Sequence, residues 1–298
     1  MVVLCLPALA QAPSWQNEVR ITEEGAVRRI RSNGIPDHAP GQFPNRRNPN
    51  SIRPQSYDYQ VPLQPLKNAQ PTPFRMQPFG VAVNGVVFDP FAAEWWRGDP
   101  SSGWQYEPQS GAIDLGLDEH NAHVQPNGAY HYHGIPTGLM KRLSGEENAM
   151  TLLGWAADGF PIYGPWGHSE AGDAKSALKK LTPGYRVKKG ARPAGGPGGS
   201  HDGSFVQDYE WAAGVGDLDA SNGREGVTPE FPQGTYYYVL TEAYPFIPRQ
   251  FAGTPDKSFE RRGPGGPGGF GGPPPGRGPP PPGGRRGGPG FRPPPPPF

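Results

Sequence analysis

Short runs of alternating apolar and polar residues, broken by Gly, Pro, Asn and Asp, recur along the chain, the pattern of strands joined by tight turns. Residues 17–22 (NEVRIT) and 26–30 (AVRRI) flank Glu23-Glu24-Gly25 and predict a hairpin. Residues 57–63 (YDYQVPL) predict another strand, which Pro62 assigns to a sheet edge, because proline cannot donate to a ladder. GVAVNGVVF at 80–88 sets Asn84-Gly85 between β-branched runs, a strong hairpin signal. LLGWAADGFPIY at 152–163 is its near copy, with Asp158-Gly159 at the turn. Residues 207–211 (QDYEW) and 234–241 (GTYYYVLT) read as further strands, 32–54 as a long irregular loop, and only 174–181 (AKSALKKL) as a helix.

The chemistry concentrates in LDEHNAHVQPNGAYHYHGI, residues 117–135, which holds four of the seven histidines. In Tyr130-His131-Tyr132-His133 strand alternation places both tyrosines on one face and both histidines on the other. Pro126-Asn127-Gly128 is a turn. A three-residue loop centred on Asn127 sets His123 across from His131 and Asn121 across from His133. A two-residue Asn127-Gly128 turn would slip the register by one and bring in His120 instead. The first register is favoured, since proline fits the opening of the longer turn better than a paired position. Either way three imidazoles converge, a ligand set for zinc or copper with a fourth position left over. His38, next to Asp37 in a loop, is the candidate fourth ligand. The bland alternative is an aromatic hairpin whose histidines only meet water or neighbours.

The order of residues also repeats. Leu117-Asp118, Asn121, Pro126, Gly128, Tyr130 and Tyr132 return as Leu218-Asp219, Asn222, Pro232, Gly234, Tyr236 and Tyr238, given a five-residue insertion. Two pseudo-repeats, about 79–137 and 152–248, follow. In the second, Arg224, Tyr237 and Val239 replace His123, His131 and His133, so the scaffold does not require the histidines. The expected fold is mostly β: an antiparallel, sandwich-like domain of two related, facing sheets with long loops.

Composition adds boundaries. Gly (45) and Pro (42) are abundant, and 29 of the 36 residues from 263 to 298 are one or the other, which predicts a disordered Gly/Pro/Arg tail over 256–298. The tail carries +5 and the rest of the chain −4, summing to the net +1, so no specific nucleic-acid partner is expected; contact with a cell-envelope or matrix component through the tail is. The apolar run ending in Ala8-Leu9-Ala10 reads as a signal peptide over 1–10, although no basic residue precedes Arg20, and it predicts a secreted protein, extracellular or periplasmic. The domain is then 14–255. Cys5 is the only cysteine, and no apolar run reaches the length of a membrane span.

The tetrad Tyr130-His131-Tyr132-His133 resembles the signature of the YHYH domain proteins. SNGIPDH at 32–38, DGFPIYG at 158–164, DGSFVQD at 202–208 and GTYYYV at 234–239 fit the same family over about 18–251. The resemblance implies a secreted or surface-associated protein and no particular reaction. It also implies cysteines in relatives where this chain has His120, Ser221 and Gln250, so that any stabilising disulfide there is missing and His120 stands at a structural position.

Other candidates rank lower. Asp118, Asp219 and Asp158 read as turn caps, His168 and His201 as solvated. Asp202, Asp208 and Asp217 with Asp219 are a weak calcium set, and the tryptophans around Trp95, Trp104 and Trp211 a weak sugar platform. The reading is a metal-binding protein using His123, His131 and His133, with metal-activated water as its chemistry if it is an enzyme. No general base is legible, so enzyme status stays open. The alternative is a non-catalytic surface or matrix module binding glycan or protein.

Overall fold

The computed structural model describes residues 15–144 and 148–260; the signal-peptide reading at 1–10 and the tail from 261 onward lie outside them. The chain is mostly β, as its alternation predicts. β1 (Val19–Glu24), β2 (Val27–Ser32) and β3 (Tyr57–Pro62) form an antiparallel three-stranded sheet, with β3 at an edge as Pro62 requires. After β4 (Thr72–Pro73) come β5 (Gly80–Ala82), β6 (Val87–Phe88), β7 (Ala122–Val124) and β8 (Tyr130–Tyr132). Helix α1 (Thr137–Leu143) leads to β9 (Leu152–Ala156) and β10 (Pro161–Tyr163). β11 (Trp166–His168) pairs with β12 (Leu178–Lys180), and β13 (Tyr185–Val187) with β14 (Tyr209–Trp211). β15 (Gly223–Gly226) and β16 (Thr235–Val239) follow, and β17 (Gln250–Phe251) returns to pair with β4.

Eight strands make the main sheet in the order β15-β16-β10-β9-β5-β6-β8-β7. Its pairings are antiparallel except β6 with β8 and β10 with β16. The two segments read as related therefore lie side by side in one sheet, joined where β5 meets β9, and not as two sheets face to face. Glycines permit that junction: a Cβ at Gly80 or Gly154 would run into the backbone of the opposite strand. The second layer comes from the three-stranded sheet, whose Ile30, Tyr59 and Val61 share one buried cluster with Phe79, Val81, Trp155 and Tyr238.

Three hairpins of the main sheet turn through the same kind of loop. Val83-Asn84-Gly85, Pro126-Asn127-Gly128 and Ala157-Asp158-Gly159 each put Asn or Asp in the middle and a glycine with φ of 82°, 91° and 94° at the third position. A left-handed conformation there is cheap only for glycine.

Two readings need correction. Residues 174–181 are not helical: Leu178–Lys180 form the exposed strand β12, with Lys180 opposite Trp166. Ala, Leu and Lys are good helix formers, but propensity is a weak prior that tertiary context overrides, and a stretch offering just Leu178 and Leu181 as apolar anchors is decided by its cross-strand neighbour. The folded unit also runs past 255. The Asp256 side chain caps the next turn by accepting from Ser258 N, and buried Phe259 stacks on Tyr59 with ring centroids 4.2 Å apart.

Candidate metal centre

The β7–β8 hairpin has the register centred on Asn127. Ala122 pairs with Tyr132, His123 with His131 and Val124 with Tyr130, and His133 N donates to Asn121 O at 2.7 Å. The loop closes through Gln125 N to Ala129 O (2.9 Å) and Gly128 N to Gln125 O (2.8 Å). Alternation then sends His131 and His133 to one face, where His123 joins them from the partner strand.

The three rings meet at their Nε2 atoms. His133 Nε2 lies 3.0 Å from His131 Nε2 and 3.1 Å from His123 Nε2, and one nitrogen from each ring lies within 4.8 Å of the others. Imidazole nitrogens sharing one tetrahedral ion at about 2.0–2.1 Å stand about 3.3 Å apart, so the observed spacings need only a few tenths of an ångström of adjustment. Hydrogen bonding to carbonyls sets two of the tautomers. His123 Nδ1 sits 2.9 Å from Leu115 O and His131 Nδ1 3.2 Å from Ala129 O; a carbonyl can only accept, so both Nδ1 atoms carry the proton and both Nε2 lone pairs point inward. His131 and His133 are each only 1% exposed, His123 partly so. Burial, then the neighbouring His131 and His123 and the Arg249 guanidinium, hold His133 well below the usual imidazole range. Burial likewise lowers His123, against the pull of the Leu115 carbonyl and Asp118. Imidazole lone pairs turned toward one point are what a cation needs.

The tyrosine face holds a separate network. Tyr132 OH meets His38 Nε2 at 2.8 Å and accepts from Asn84 Nδ2 at 3.0 Å. Tyr130 OH donates to Asp118 Oδ2 at 2.7 Å. His38 is therefore across the sheet from the triad and is not a fourth ligand: it reaches the hairpin through Tyr132, whose side chain points the opposite way from those of its two histidine neighbours. His120 is on this side too, bonded to Thr137 Oγ1 (2.8 Å) and Ala39 O (2.9 Å) and packed 4.3 Å from the His38 ring. Its placement agrees with the register that leaves it off the metal face.

A family model described as "YHYH protein" matches residues 58–253, two-thirds of the 298-residue chain. The chain belongs to the YHYH family. No curated protein matches it, and no solved structure does. The motif that gives the family its name is β8 and the residue after it, so in this YHYH protein the two faces of one short strand separate the imidazole cluster from the tyrosine network.

Several residues that support the triad were not legible in the sequence. Asn48 Nδ2 donates to Val124 O at 2.9 Å and lies 3.2 Å from His123 Nδ1. Gln109 Nε2 donates to His133 O at 2.7 Å, while its backbone N donates to Glu107 Oε1 at 3.3 Å. Glu107 is fully buried and ion-paired with Arg249, whose guanidinium also lies over the Phe91 ring; burial raises the Glu107 carboxyl while Arg249 pulls it down. All reach the hairpin from loops without periodicity.

The lesser candidates are engaged elsewhere. Asp202 and Asp208 close on Arg192 and Asp217 on Lys179, so these carboxylates already face side-chain cations and do not gather calcium. Asp118 and Asp219 cap their turns as read, accepting from His120 N and Ala122 N, and from Ser221 N and Gly223 N. His168 lies on β11 bonded to Ser176 O, and His201 bonds Gly190 O, so neither is simply solvated. Ser221 Oγ accepts from Gln250 Nε2 at 3.1 Å, which puts two of the three positions of the implied cysteines in contact.

Proposed function

We propose that this YHYH-family protein binds a divalent transition metal, zinc or copper, through the Nε2 atoms of His123, His131 and His133. The observation that carries the reading is the meeting of three ring nitrogens in a buried site, two of them with lone pairs turned inward by Nδ1–H bonds to carbonyls. An all-imidazole set without thiolate or carboxylate suits zinc or copper and not magnesium or calcium. A bound ion would supply Lewis acidity; the chain's own contribution is to hold three neutral imidazoles in place and keep the site dry. Titration of metal-free protein with Zn²⁺ or Cu²⁺ tests it. One equivalent should bind tightly, the pair His131→Ala and His133→Ala together should remove binding, and His38→Ala should leave it intact. Binding that survives the double substitution would sink the proposal.

Secretion belongs to the same proposal and is supported by the apolar run ending in Ala8-Leu9-Ala10. No helix among the described residues is long and apolar enough to cross a membrane. Tethering of the domain to an envelope or matrix component through the Gly/Pro/Arg tail is supported by that tail's composition. We further infer that the metal hairpin and β15–β16 are copies. Equivalent positions support it: Asn121 and Asn222 have φ of 55° and 54°, and Tyr130 bonds Asp118 as Tyr236 bonds Asp219. Arg224 faces Tyr237 as His123 faces His131, its Nε donating to the Tyr237 hydroxyl at 2.6 Å. A guanidinium then stands where the first copy would hold its ion.

A further inference from the structure

We propose that strand β1 is the pairing edge of a homodimer, in which two copies of this chain align β1 antiparallel about a two-fold axis at Thr22, with Arg20 of each copy opposite Glu24 of the other. Of the four outer strands of the two largest sheets, three meet another segment of the chain. Val124 O of β7 receives Asn48 Nδ2 (2.9 Å) and Asn50 Nδ2 (2.8 Å). Val227 N, directly after β15, donates to Ala171 O (2.8 Å), and in β3 Gln60 N donates to Ser258 Oγ (2.9 Å). β1 pairs with β2 on one side without a break in register and has no strand among the described residues on the other. Asn33 N donates to Glu18 O. Because such bonded pairs alternate along an antiparallel ladder, Arg20, Thr22 and Glu24 turn their backbone groups to β2, while Ile21 and Glu23 turn theirs outward. An edge of this kind is ordinarily blunted by proline, a bulge or lysine; Val19–Glu24 has none of them.

The charges along β1 choose the occupant. Arg20, Thr22 and Glu24 share the outer face by alternation. Arg20 has no ion-pair partner among the described residues, and the one ion-pair contact of Glu24, to Arg29, is 3.4 Å long because Asp58 already holds Arg29 Nε and Nη2 at 2.7 and 2.6 Å. In the proposed register each Arg20 meets a Glu24 and Thr22 meets its own symmetry mate. On the other face Ile21, 36% exposed as a single strand edge, is covered by the second copy. Ile21 and Glu23 then form a pair that exchanges both of its N–H···O=C bonds, and the axis supplies that pair twice. Sliding the copies by two residues sets Glu18 against Glu24 in one direction and Glu23 against its own copy in the other, and like charges directly opposite are destabilising. The strand is thus complementary to itself in one register, as an isologous contact requires.

Sedimentation of the full chain over a range of concentrations tests it. The unaltered protein should pass from monomer to dimer as concentration rises. Arg20→Glu alone and Glu24→Arg alone set like charges opposite each other, and each should weaken self-association roughly tenfold or more. Both substitutions in one chain should restore it. The two single variants, mixed in equal amounts, should pair with each other, since each supplies the charge the other lacks. Should a charge variant fail to fold, Ile21→Pro gives a second readout: it removes an outward N–H that no β1–β2 bond uses, so the monomer should keep its fold and lose the dimer. A monomer at every concentration, the result if a different segment or a different protein covers the edge, would overturn the proposal. So would a dimer indifferent to both charge changes, or single variants that do not pair when mixed.

Discussion

At the scale of single residues, the folded chain keeps several ionisable groups away from their preferred protonation state. Asp158 is the clearest outside the triad. It is buried in the β9–β10 turn, where it accepts from Tyr238 OH (2.6 Å) and Gly253 N (2.9 Å), yet burial pushes its carboxyl up to about 6 from an ordinary 3.8. Above pH 6 the native state must therefore carry a charge that the unfolded state carries more easily, a cost of about 3 kcal/mol at 1.36 kcal/mol per unit. As pH falls from 6 towards 3.8 the folded carboxyl protonates first and the cost disappears. Asp158→Asn should accordingly be more stable than the unaltered protein at pH 7, with the advantage shrinking by about 2 kcal/mol at pH 4. Urea unfolding of both proteins at the two pH values checks this, and a difference that does not change with pH would count against it. The histidines of the triad were legible because alternation on a strand is a rule without exceptions of distance. Asn48, Gln109 and Leu115 were not, since nothing in a loop's sequence says which strand its carbonyls and amides will meet.

At the scale of elements, the hairpin register decides which histidine becomes the third member of the cluster. Pro126 revealed it in the sequence, because proline starts a three-residue loop more easily than it ends a strand. The closing residue of that loop, Gly128, has a φ of 91°, and a Cβ there would lie 2.6 Å from Arg53 Cβ. Gly128→Ala should cost about 1–3 kcal/mol through backbone strain and weaken zinc binding, because this turn sets His123 opposite His131. Thermal unfolding and a zinc titration on one sample measure both; full affinity in a destabilised variant would show that the register is held elsewhere. The helix misread at 174–181 marks the opposite case, a short segment whose partner strand, not its own composition, chose its conformation.

At the scale of the whole molecule, the β class was legible but the sheet order was not. The two parallel pairings, β6 with β8 and β10 with β16, join strands separated by long connections, and local patterns say nothing about such partners. The C-terminal boundary was misplaced for a similar reason: Phe259 precedes a Gly/Pro-rich segment, yet it fills the three-stranded layer against Tyr59. A chain ending at Glu260 should keep the stability of the full protein, and Phe259→Ala should lose about 3–5 kcal/mol. Equal stability of the Phe259→Ala variant in denaturant would return the boundary to 255.

The most direct measurement is the metal content of protein purified without a histidine tag, compared with the same protein carrying His131→Ala and His133→Ala. The account predicts close to one zinc or copper per chain in the first and almost none in the second. Metal content far below one, and the same in both, would contradict it.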